Sequence, residues 1–156
     1  MMHEDAKFSM AQMLIRKPAA TVFEAFIDPS LTRNFWFTGS SGRLEEGREV
    51  IWEWEMYGVS TTVTAREIVP DEKIVFEWGN PATTVVFVFK RLHDGATYVT
   101  AKEYGYRAEG DALLAVIRDS TGGFTTVLDG LKAFLEHGIR LNLIGDKFPR
   151  ELKDAK

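Results

Sequence analysis

The chain has 156 residues, 45% hydrophobic and 27% charged, with a formal net charge of −4 and no cysteine. That length suits one domain with a core that needs no covalent staples, and the missing cysteines exclude disulfides, thiolate nucleophiles and thiolate-bound zinc or iron–sulfur centres. The acidic balance argues against a nucleic-acid partner, which needs a basic face.

In chain order, the opening MMHEDAKF is too polar for a secretory leader. Residues 1–7 are expected to be a flexible N-terminus, and the compartment a cytoplasmic, reducing one. FSMAQMLIR (8–16) has a β-compatible composition and reads as a first strand. Pro18 suits a first helical turn, where its missing N–H is not needed. Val22, Phe23, Phe26 and Ile27 then recur at helical spacing. Asp28-Pro29 ends that helix, because the residue before proline is pushed out of helical geometry, and a second short helix is expected from Leu31 to Phe35.

TGSSGRLEEG (38–47) is a loop by composition. Five strands follow, at 48–57, 59–69, 73–79, 83–92 and 96–106. Gly58, Pro70-Asp71, Gly79-Asn80-Pro81 and Asp94-Gly95 punctuate them. Such short turns predict an antiparallel meander, since parallel crossovers require intervening helices. From Phe124 a stripe of Phe124, Val127, Leu128, Leu131, Phe134 and Leu135 predicts a long helix. Asp119, Ser120 and Thr121 offer its starting caps and Gly138 its stop. Residues 8–140 thus form one α+β domain. Ile139, Leu141, Leu143 and Ile144 suggest that the tail, 141–156, docks in part. No apolar run nears the roughly 20 residues of a membrane-spanning helix.

The stretch REVIWEWEMYG sets Val50, Trp52, Trp54 and Met56 on one strand face and Glu49, Glu53 and Glu55 on the other. A curved sheet with one long amphipathic helix buries the helical stripe against its concave face, and the tryptophan face is the natural choice. Matching parities put Phe76 and Trp78 beside it, then Tyr104 and Tyr106. On the strand between, Val85, Phe87 and Phe89 are preferred to Val86 and Val88.

The segments RKPAATVFEAFIDPSLTRNFWF, VIWEWEMYG, AREIVPDEKIVFEW, TTVVFVFKR and STGGFTTVLDGLKAFLEHG, in this order, resemble the START-like (SRPBCC, helix-grip) superfamily that includes the birch-pollen allergen class. Within it the chain is most similar to homologues of the heat-shock-protein-90 ATPase activator, over roughly residues 8–140. The resemblance implies a curved antiparallel sheet of about six strands and two short helices after the first strand. It also implies a long C-terminal helix over the concave face, with an internal cavity between. On that architecture Trp52, Trp54, Phe76, Trp78, Phe87, Tyr104, Phe124, Leu128 and Leu131 would line the cavity, and Trp36 and Phe37 its mouth. The alternative is that these aromatics are core, with Trp36 plugging one end.

The function so implied is binding of a small hydrophobic or aromatic molecule. One alternative is a polyketide cyclase- or aromatase-like enzyme, for which Tyr104, Tyr106, Glu103 and Arg66 are the nearest ionisable candidates. A chaperone-associated role is a weaker expectation, because the chain has no room for the separate N-terminal domain of the two-domain activators. A homodimer is left open.

Other constellations carry less. Glu53 and Glu55 share the face opposite the tryptophans and read as a solvated surface rather than an acid–base pair. Arg66, Glu67, Lys102 and Glu103 are expected to point outward or pair, since a buried lone charge is costly. His3, His93 and His137 have no second ligand at metal spacing, so no metal and no cofactor is expected. STGGF lacks the lysine and spacing of a phosphate loop, and its glycines suit a kink or a close helix–sheet approach. GxSxG is absent, which argues against a classical hydrolase.

Overall fold

The structure, a computed structural model, describes residues 7–154. His3 and most of the expected flexible N-terminus lie outside the described residues. Strand β1 (Phe8–Ile15) leads into helices α1 (Ala19–Ile27) and α2 (Pro29–Thr32). Six strands follow: β2 (Gly39–Ser40), β3 (Glu49–Trp54), β4 (Val59–Val69), β5 (Lys73–Trp78), β6 (Thr83–Arg91) and β7 (Thr97–Tyr104). Helix α3 (Gly110–His137) and two short helices, α4 (Leu143–Lys147) and α5 (Arg150–Asp154), end the chain.

The seven strands form one antiparallel sheet in the order β1-β7-β6-β5-β4-β3-β2. Only β1 departs from sequence order, returning to pair with β7. Register carries one inner face across the sheet: Ser9 and Val85 flank Glu103, Val85 meets Phe76, and Trp78 meets Val63. Val50, Trp52, Phe76, Val85, Phe87 and Phe89 are buried on that face, so the phenylalanine parity of β6 is the inner one.

Local chemistry sets the elements. Asp28 stops α1 in an extended conformation and then caps α2, accepting from the Ser30 N–H at 2.9 Å and its hydroxyl at 2.8 Å. Helix α1 packs its inner stripe on β6, with the Phe26 and Phe87 rings 4.5 Å apart. Helix α3 runs along β1 and is tied to its end by Lys132. Its Nζ donates to the Leu14 carbonyl at 2.8 Å and to Glu136 Oε2 at 2.7 Å, and that oxygen also accepts from the Arg16 N–H at 2.7 Å.

Several expectations are corrected. The sheet has seven strands rather than about six, because β2 is two residues long and too short to show a period. Strand β3 ends at Trp54 and residues 55–57 form a 3-10 turn, so Met56 leaves the tryptophan face. Helix α3 begins at Gly110, ahead of the proposed caps, and Asp119, Ser120 and Thr121 lie inside it. Leu114 and Val116 stay exposed, so no buried stripe marks its first turns. Gly138 does end α3, in the left-handed conformation that favours glycine.

Candidate functional site

Helix α3 does not close evenly on the sheet. Its C-terminal half seals the core, with Val127, Leu128 and Leu131 buried. Beneath its N-terminal half a cavity of about 1040 Å³ opens. Trp54, Val59 and Trp78 of the sheet form one wall and Val116, Gly123, Phe124 and Val127 of α3 the other. Trp36 closes the inner end, and the chain after α3 supplies the remaining side through Ile144, Lys147, Phe148, Pro149 and Leu152. The tail is held there by the Tyr57 hydroxyl, which donates to the Ile144 carbonyl, and by Lys147 Nζ, 3.2 Å from Thr126 Oγ1.

All four tryptophans of the chain meet at this wall. Every pair among Trp36, Trp52, Trp54 and Trp78 has ring centroids between 5.0 and 6.5 Å apart. Edge-to-face contacts predominate, the geometry that the aromatic quadrupole favours. The four indoles divide between two tasks. Trp52 is 1% exposed and belongs to the core, whereas Trp54 is half-buried and lines the cavity.

Trp36, Trp54, Trp78 and Phe124 among the sequence-named residues line the cavity. Phe37, Trp52, Phe76, Phe87, Leu128 and Leu131 are buried in the core behind it. Tyr104 falls on the opposite face of β7, beside Lys102, whose Nζ sits 5.9 Å from its ring. The inner face of β7 is that of Thr97, Val99, Ala101 and Glu103. Tyr106, beyond the end of β7, returns its hydroxyl to the cavity. Gly105, at φ +94°, separates the two tyrosines, so strand parity does not carry over from one to the other.

Glu103 is the principal correction. It points inward, 8% exposed, rather than outward. One oxygen accepts from Trp78 Nε1 at 2.9 Å and from Thr83 Oγ1; the other accepts from Ser120 Oγ at 2.7 Å and lies 3.3 Å from the Tyr106 hydroxyl. Ser9 Oγ completes the cluster, 2.6 Å from both Tyr106 and Ser120. These partners are why a buried carboxylate is tolerated without a cation. Burial pushes the Tyr106 phenol above its ordinary value; hydrogen bonds from Ser120 and Ser9 oppose this and Glu103 reinforces it. One sign of this arrangement is present in the sequence. Glu103 shares the parity of Val99 and Ala101, but its partners come from four other elements or loops and have no common spacing.

The charges left outside behave as expected. Arg66 pairs with Glu77 at 2.9 Å, and Glu53 and Glu55 are exposed. Among the described residues no group of His, Asp or Glu side chains is arranged to hold a metal ion, and no helix is long and apolar enough to cross a membrane.

Comparison with known proteins agrees with this architecture. A Staphylococcus saprophyticus protein is 28% identical, with a TM-score of 0.77, covering 86% of this chain and 96% of its own. DynU16, a protein of the dynemicin biosynthetic locus, is 17% identical with a TM-score of 0.76, over 85% of this chain and 48% of its own. The Aha1 dimer from Colwellia psychrerythraea, solved in solution, is 15% identical with a TM-score of 0.71, over 85% and 98%. No functionally curated protein matches. The family described as "Activator of Hsp90 ATPase homolog 1-like protein" matches residues 16–136. With that match over most of the chain, and a long helix gripping a curved antiparallel sheet, the protein belongs to this family of the START-like superfamily.

Proposed function

We propose that the protein binds a small, largely apolar or aromatic molecule in the cavity between the sheet, the first half of α3 and the tail. The observation that carries this is the cavity itself. Its volume of about 1040 Å³ is at the upper end of what small-molecule sites enclose, roughly 300–1,000 Å³. Its walls are mainly indole, phenyl and aliphatic surface, with one polar cluster at Glu103. Affinity would come from apolar area removed from water, at roughly 25 cal/mol per Å² before ordering costs. A structural relative from the locus of a small-molecule biosynthesis is consistent with such a ligand.

Native mass spectrometry of freshly purified protein, compared with its denatured mass, tests the reading together with quenching of tryptophan emission by polycyclic aromatics. A releasable mass, or saturable quenching by aromatics, supports it. Bare protein that no apolar compound quenches overturns it.

One observation favours a second reading, catalysis on the bound molecule. Glu103 and Tyr106 put a carboxylate and a phenol of raised pKa side by side in the cavity, which a cyclase- or aromatase-like reaction would use as base and acid. Turnover of a cyclisable substrate that Glu103→Gln abolishes, with ligand binding retained, would establish it. Self-association is suggested by the dimeric relative, and light scattering across a concentration series tests that.

A further inference from the structure

We infer that the ligand of this cavity carries a hydrogen-bond donor, a phenol, alcohol or amine, on the end that meets Glu103, and that carboxylic acids are refused there. The inference rests on the ligand-binding role proposed above and follows from counting protons at the polar end.

Four donors meet Glu103, and a fifth, Ser9, stands behind two of them. The Trp78 N–H and the Thr83 hydroxyl both point to Oε2, where the only acceptor is the carboxylate. On the other side Oε1, Ser120, Ser9 and Tyr106 close a ring of four O···O contacts, at 2.7, 2.6, 2.6 and 3.3 Å. Three hydroxyls supply three protons, and the three contacts of 2.6–2.7 Å take one each, so every proton lies inside the ring. None remains to reach a ligand. What Thr83, Ser120 and Tyr106 turn to the cavity is lone pairs. The polar end therefore accepts and does not donate, and Asp119 on the rim adds a second carboxylate.

A ligand O–H or N–H satisfies this end directly. The 3.3 Å Tyr106–Glu103 contact is the longest in the ring and the one a ligand donor can displace most easily. A ligand carboxylate would bring a second negative charge against Glu103 where little water is left to screen it. The cavity's unengaged donors are elsewhere. Lys147 is the one cation among its lining residues. The indole N–H groups of Trp36 and Trp54 have no partner among the described residues, and no fully buried side-chain polar atom there is unpaired, so each keeps some exposure.

Three probes with the same rings test this: phenanthrene, phenanthrol and phenanthrene carboxylate, each titrated against the intact protein by tryptophan quenching. The expected order places phenanthrol first, tighter than the carboxylate by about tenfold or more, the size of one hydrogen bond to a charged acceptor. Glu103→Gln should collapse that preference, and the phenanthrene titration reports whether the cavity survives. Should Glu103→Gln not fold, Thr83→Val takes a competing donor off the same carboxylate and should widen the preference instead. Equal binding of all three probes overturns the donor requirement and leaves the ligand-binding role standing. Tight carboxylate binding that Lys147→Met abolishes also overturns it, by showing the acid seated on the lysine. Failure of all three to bind removes both readings.

Discussion

Ser9 and Glu103 face each other across the β1–β7 pair, and both turn inward, 2% and 8% exposed. Ser9 never touches the carboxylate; it reaches it through Tyr106 and Ser120, one from beyond β7 and one from α3. A single edge-strand hydroxyl thus joins the sheet to the helix. Ser9→Ala should cost about 1 kcal/mol, the usual worth of a buried hydrogen bond, seen as a lower urea midpoint with unchanged slope. No change in midpoint would mean that water replaces the hydroxyl and that the helix is held by other contacts.

The same cluster predicts a pH dependence. Tyr106 is held above its ordinary value of 10.0, first by burial and also by Glu103. Its neutral form is thus favoured by folding. That contribution is complete below 10.0 and is lost as pH rises through the higher folded value. Tyr106→Phe has no phenol to ionise, so its stability should fall less steeply on the alkaline side than that of the parent. Ser9→Ala removes one of the bonds that lower the value and should push the phenolate absorbance transition higher still. Parallel alkaline limbs in parent and Tyr106→Phe would rule out the effect.

Trp52 and Trp54 lie two residues apart on one strand, yet they should respond oppositely to truncation. Trp52 is 1% exposed and ringed by Trp36, Phe37 and Phe76 at 5.0, 4.9 and 5.2 Å. Trp52→Ala should cost about 3–5 kcal/mol, as for other large core truncations. Trp54 faces the cavity, so Trp54→Ala should leave a folded protein that has lost most of its affinity for aromatic probes. Chemical denaturation and probe titration on both variants separate the two roles. A folded Trp54→Ala with parental affinity would refute its place in the ligand site.

How far the sequence reached is plain in this pair. Period-two alternation in REVIWEWEMYG identified the strand, its inner face and the two tryptophans, because parity is a local property of extended backbone. Nothing local separates Trp52 from Trp54. The difference comes from Trp36 and Phe37, whose rings lie 5.0 and 4.9 Å from Trp52 but 6.5 Å from Trp54, and from Phe76, which packs on Trp52 at 5.2 Å. The same limit explains Glu103, whose inward turn depends on partners from β5, β6, α3 and the segment after β7. Helix α3 was legible where it buries a stripe and illegible from Gly110 to Asp119, where it overhangs the cavity. The sequence pattern reports burial, and a cavity wall is only half buried.

Glycines within α3 offer a contrast of the same kind. A Cβ at Gly130 would stand 3.3 Å from Phe35 Cβ and 3.4 Å from its carbonyl oxygen, so this glycine lets the helix approach the loop after α2. At Gly123 a Cβ would meet nothing within 4 Å, and the position borders the cavity. Gly123→Ala should therefore gain most of the helix-propensity difference, up to about 1 kcal/mol, while narrowing the site by one methyl. Gly130→Ala should gain less or turn destabilising. Thermal melts of the two variants decide it, and equal stabilisation by both would show that Phe35 gives way.

The tail closes the cavity through few contacts, which makes it the element to test for access. The Tyr57 hydroxyl holds the Ile144 carbonyl, and the Tyr57 and Phe148 rings lie 6.4 Å apart. Leu152 covers the opening while 70% exposed. So lightly buried a segment opens locally without unfolding the domain. Tyr57→Phe keeps the ring and removes the bond, worth about 1 kcal/mol, or roughly fivefold in the opening equilibrium. Amide exchange at residues 143–147 should quicken by about that factor while α3 and the sheet keep their protection. Dissociation of a bound aromatic probe should quicken with it. If the tail exchanges faster but the probe leaves at the parental rate, the ligand exits by another route and α4 is no gate.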